Sequence, residues 1–162
     1  MSQFFPFIFV LLWSSAFITT LPIVLNSDPF SALAFRFFFV AICFLIYSIV
    51  KKIKIKVNFS NLFNSFSTGI LFHGFYLGGV FYAIFVGLPT SVVALIVTLQ
   101  PILTNILAGY FLNEEVNIYQ WIGVILGFTG AVMVIGFDIG SKLPVKGLTA
   151  GVIALIAITT ST

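Results

Sequence analysis

The sequence predicts an all-α fold, a polytopic transmembrane helix bundle of five spans with a sixth that is cut short. Three observations predict it. Of the 162 residues, 60% are hydrophobic and 7% charged, whereas a soluble domain carries about 25% charged residues. Mean hydropathy is +1.22, so the chain cannot cover itself with a water-compatible surface. The apolar residues also fall into long runs, and about 20 of them in a helix cross a hydrocarbon core of roughly 30 Å. The 21 phenylalanines suit an exterior that faces acyl chains, which makes the lipid bilayer the first partner.

Span one runs from Phe4 to Leu25, with Trp13 and Ser14 near its middle and Pro22 near its end. No basic residue precedes it, whereas a cleaved signal peptide needs a positive n-region, so it reads as a retained span. Asn26-Ser27-Asp28-Pro29 is a turn of strong turn formers, and span two follows from Phe30 to Val50. Lys51 to Ser65 holds four lysines, and the alternation over Lys52 to Phe59 suggests a piece lying at the interface with its lysines reaching water. Span three is Phe66 to Phe85. Gly87-Leu88-Pro89-Thr90 turns the chain into span four, Ser91 to Glu115.

Span four carries Pro101 at its centre. Proline has no N–H, so the Val97 carbonyl loses its ladder partner. In lipid such a break survives only where neighbouring groups satisfy the freed carbonyl, and Thr98, Gln100, Thr104 and Asn105 lie close by in sequence. Span five is Trp121 to Phe137, with a possible start at Ile118. Asp138 to Lys146 reads as a loop, and a last apolar segment runs from Gly147 to Thr162. Sixteen residues at about 1.5 Å each reach about 24 Å, short of the core, so this segment reads as a truncated span and the chain as a fragment of something longer.

Orientation follows the lysines. With Lys51, Lys52, Lys54 and Lys56 in the cytoplasm, the N-terminus is cytoplasmic too, because two spans lie between them. The predicted location is a cell membrane, the inner membrane in a bacterial source.

Small residues four apart let helices approach closely in lipid. Gly74 and Gly78, Gly79 and Ala83, and Gly123, Gly127 and Ala131 form such stripes, read here as packing grooves. Arg36 is the one ionisable side chain well inside a span. At the bilayer centre arginine costs about 2.5–3.5 kcal/mol on insertion scales and marks a pathway or a paired site, although near a helix end it can reach outward to water. A solute site and a structural anchor are both open for it. His73 offers either an interhelical hydrogen bond or a proton relay. Trp13 lies mid-span rather than in an interfacial aromatic belt, which argues for a packed or cavity-facing place. Tyr76 and Tyr82 share that ambiguity. Glu114 and Glu115 close span four, where a negative charge opposes the helix dipole.

Several classes are excluded on composition. The formal charge of +3 is too small and dispersed for nucleic-acid binding. The single cysteine, Cys43, cannot make an internal disulfide, and no Cys/His cluster has metal spacing. There is no nucleophile–base pair, intramembrane carboxylate pair or phosphate-binding glycine loop, so neither an enzyme nor a cofactor is indicated.

The ordered set Leu12-Trp13-Ser14-Ser15-Ala16-Phe17, Ala34-Phe35-Arg36-Phe37, Tyr82-Ala83, Ala94-Leu95-Ile96, Leu99-Gln100-Pro101, Leu112-Asn113-Glu114-Glu115 and Gly123 to Gly130 resembles the EamA repeat of the drug/metabolite transporter superfamily. It does so over residues 4 to 137. The resemblance implies half of a ten-helix transporter built from two five-helix repeats, the second inserted upside down, with substrate held between them near the midplane. Residues 138–146 are then a linking loop and 147–162 the start of the second repeat's first helix. The sequence departs from the family pattern in having Trp-Ser-Ser where glycine commonly follows the tryptophan.

By position, the resemblance assigns Arg36 to the arginine of the second helix, Pro101 to the fourth-helix kink and Glu115 to the acid after it. Trp13, Ser14, Tyr76, Tyr82 and Gln100 become cavity candidates. The expected function is export of small metabolites or drugs, with a small-molecule substrate. A second copy or a missing C-terminal half would complete the site. Two alternatives stay open: a dual-topology transporter that dimerises, and a non-transporting remnant or interaction subunit.

Overall fold

The computed structural model describes residues 4–53, 58–111, 117–135 and 143–161. Among these the chain is helical throughout. Helix α1 spans Phe5–Asn26 and α2 spans Pro29–Val50. Asp28 sets the start of α2. Its carboxylate accepts the Ser31 N–H at 2.8 Å, which satisfies one of the orphan donors of a helix start, and Pro29 fills the first helical position, where no N–H is needed. The same bond holds the Asp28 carboxyl below its ordinary 3.8.

Span three begins earlier than the sequence pattern predicts. Helix α3, Phe59–Gly69, starts at an Asn58 cap whose side chain accepts the Ser60 N–H. The segment through Ser65 therefore belongs to the helix rather than to an interfacial strip. The helix continues as a π-helix over Ile70–Leu77 and returns to α-form as α4, Gly78–Phe85. The turn that follows puts Gly87 at φ 93°, a conformation that glycine adopts without steric cost.

Span four is broken. Helix α5, Thr90–Val97, and α6, Gln100–Phe111, are separated by Thr98 and Leu99. The Leu99 N–H turns to the Ile96 carbonyl at 3.1 Å. The Thr98 hydroxyl donates to the Leu95 carbonyl at 2.7 Å, so threonine does relieve the break, at Leu95 rather than at Val97. Helix α7 is Ile118–Ile135, and α8 is Val145–Ser161, which begins within the segment expected as a loop.

Four helical stretches are long and apolar enough to cross a membrane: Phe5–Asn26, Pro29–Val50, Phe59–Phe85 and Thr90–Leu107. Ile118–Gly130 and Val145–Ser161 are shorter apolar helices. The core gathers around α8. This helix packs against the π segment, α4, α5 and α6, and buries Ala150, Ala154, Ala157 and Ile158. A Cβ on Gly79 would come within 2.9 Å of the Ala150 carbonyl oxygen, and one on Gly147 within 2.9 Å of the Leu88 Cβ. Of the expected packing stripes, Gly79–Ala83 is thus a true close approach. The outward faces of α1 and α2 carry exposed leucine, isoleucine and phenylalanine along their length, as lipid-facing helices do.

Candidate functional site

Helix α1 packs on α2, α4 and α5, whereas α7 packs on α5 and α6. The two flank α5 without a substantial interface of their own, and a trough of about 1290 Å³ opens between them. Its walls are residues 9–17 of α1 and 120–128 of α7; the α5–α6 break and Ile158 of α8 also line it. On α1 and α7 these residues lie in the N-terminal halves. The trough therefore runs from mid-bundle to one end, the end at which both helices begin.

Trp13 and Ser14 line the trough from α1, and Gln100 and Pro101 from α6. The structure brings these four sequence candidates together. Tyr76 sits elsewhere, 2% exposed, with its ring edge-on to Phe72 at 5.2 Å. Tyr82 stacks over Phe30 at 6.3 Å. Arg36 lies on the exposed side of α2, near enough to the Tyr76 phenol for its charge to act there. Glu114 and Glu115 lie outside the described residues, as do Lys54 and Lys56.

His73 packs by its ring rather than through a hydrogen bond among the described residues. Phe37 lies at 4.8 Å and Phe72 at 5.2 Å. It borders a second crevice of about 590 Å³ between α2 and span three, lined by Phe30, Leu33 and Phe37 on one side and Gly69 and Gly74 on the other.

Several lining residues escaped the sequence reading. Phe9, Trp13 and Phe17 share one face of α1 at four-residue spacing, a signal that was present. Gly123 and Gly127 were read as a packing groove, yet a Cβ at either would meet nothing within 4 Å. They form a bare wall instead. Thr98 and Asn105, noted only for the helix break, border the trough as well.

The site offers a broken helix at mid-bundle, amide and hydroxyl side chains beside the break, aromatic rings on one wall and backbone on another. Among the described residues no group of His, Cys, Asp and Glu could hold a metal ion. An open, polar-floored trough inside a bundle of apolar helices defines a multi-pass membrane protein that handles small solutes.

The model of the EamA-like transporter family matches residues 2–136, and the chain belongs to that family of membrane transporters. No curated protein and no solved structure matches it.

Proposed function

We propose that the chain is a five-helix transporter repeat, residues 4–137, that exports small metabolites or drugs across the cell membrane with its N-terminus in the cytoplasm. In this scheme α8 is the first helix of a second repeat. The observation that carries the proposal is the trough itself, which opens only toward the end where α1 and α7 begin. With the N-terminus inside, that opening faces the cytoplasm, where an exporter loads. Solute would rest on Trp13, Ser14 and Gln100, beside the break that Pro101 creates. Discontinuous helices at solute depth are the usual way transporters expose backbone polar groups to cargo. Arg36 would serve as an anchor outside the trough.

The test is solute flux in proteoliposomes containing the purified chain, using a panel of metabolites and drugs. Saturable flux above that of empty vesicles is expected, with Trp13→Ala reducing it and Arg36→Ala leaving it intact. Flux no different from empty vesicles, or flux untouched by Trp13→Ala, would overturn the assignment.

A further inference from the structure

We infer that the trough selects uncharged, flat ring solutes bearing a carboxamide or an equivalent donor–acceptor edge. The inference rests on the trough being the solute site. No charged side chain among the described residues lines it. An ion of either sign entering bundle depth would leave water without a counter-charge, and the desolvation penalty would go uncompensated.

The groups present suit a neutral ring. Phe9 and Trp13 stack with centroids 5.6 Å apart and planes at 30°, and Trp13 keeps 37% of its surface exposed. From α7, Gly123 and Gly127 present backbone with free space in front of it. A planar ring fits a slot with an aromatic face on one wall and no side chain on another, because stacking on rings needs flatness rather than charge. A branched side chain on α7 would fill that slot.

The polar edge is equally specific in type. Gln100 and Asn105 each carry an amide acceptor and an amide donor, and neither is engaged in a hydrogen bond within the chain. Gln120 uses its Oε1 to accept the Asn117 N–H at 2.9 Å, which leaves its NH2 to donate. Beside them the broken ladder exposes backbone at Val97 and Thr98. Carboxamides pair reciprocally with carboxamides. A carboxylate would lack the donors it needs in excess, and a pyridinium would lack an anion.

The test uses one ring in three charge states on the full chain in lipid nanodiscs: nicotinamide, nicotinate and 1-methylnicotinamide. Tritiated nicotinamide should bind saturably, and unlabelled nicotinamide should displace it about tenfold better than either charged analogue, a difference of about 1.4 kcal/mol. Gly127→Val should abolish binding with helical circular dichroism unchanged, and Gly123→Ala should weaken it if the valine variant fails to fold. Equal or better displacement by a charged analogue, or no saturable nicotinamide binding, overturns the inference. Loading the same ring into proteoliposomes separates the two proposals. A ring that binds but is not moved defeats the exporter assignment alone, and flux that favours a charged analogue defeats the selectivity alone.

Discussion

Gly79→Val probes the contact on which the core depends. A Cβ at position 79 would lie 2.9 Å from the Ala150 carbonyl oxygen and 3.0 Å from the Ala154 Cβ. Both atoms are fixed to the backbone of α8, so no rotamer can move them aside. Restoring ordinary contact requires α4 and α8 to separate by roughly 0.5 Å, and a gap of that size forfeits about a quarter to a half of each pairwise attraction along the seam. Overpacking of this kind costs about 1–3 kcal/mol. The better helix propensity of valine returns only about 0.5 kcal/mol. The variant should therefore lose about 1–2 kcal/mol. The assay is SDS titration in mixed maltoside micelles followed by far-UV circular dichroism. Gly123→Val is the reference, since a Cβ there touches nothing within 4 Å. If Gly79→Val unfolds at the parental SDS fraction, the close approach of α4 and α8 does not contribute as described.

Two further predictions concern polar groups. Thr98→Val removes the hydroxyl that donates to the Leu95 carbonyl while keeping the side chain's shape. It should cost about 1 kcal/mol in the same titration, and an unchanged midpoint would show that the carbonyl finds another partner. Asp28→Ala removes the cap of α2. Because the folded carboxyl titrates below its ordinary 3.8, its contribution is present above that value and is lost as pH falls through the folded pKa. The variant should thus unfold earlier than the parent near neutrality, with the two curves converging in acid. A constant offset across the whole pH range would reject the cap as the cause.

What could be read from the sequence was mostly local. Pro101 announces the break between α5 and α6 because a missing N–H acts wherever the residue sits. Asp28 before Pro29 announces a helix start for a similarly local reason. The early start of span three was harder to see, although Asn58 is a good cap, because the segment that follows mixes serine and asparagine among its phenylalanines. The π segment has no composition that separates it from an ordinary helix. The site divides the same way. Trp13 was legible from its depth in the span, and Gln100 from its place beside the proline. Gly123 and Gly127 were not, because small residues four apart look the same whether a neighbouring helix or empty space lies in front of them. Gly79 and Gly127 have the same chemistry, and only the tertiary arrangement of α8 and the trough distinguishes them. The last apolar segment likewise looked too short to face lipid, and the structure surrounds α8 largely with protein.

The π-helix at Ile70–Leu77 makes span three sensitive in a particular way. Winding with i→i+5 bonds inserts extra residues between two stretches of regular helix, so the faces above and below are indexed separately. Phe66, Gly69 and His73 look toward the crevice beside α2, whereas Gly79 meets α8. Removing a single residue from the segment would let the helix revert to regular winding. Everything beyond the deletion would then turn by about 100°, presenting a bulky neighbour to α8 where glycine now stands. Along most lipid-facing helix a one-residue deletion merely shifts which leucine meets which acyl chain. Here the spacing itself carries information, and span three acts as a coupling of two shafts set at a fixed angle.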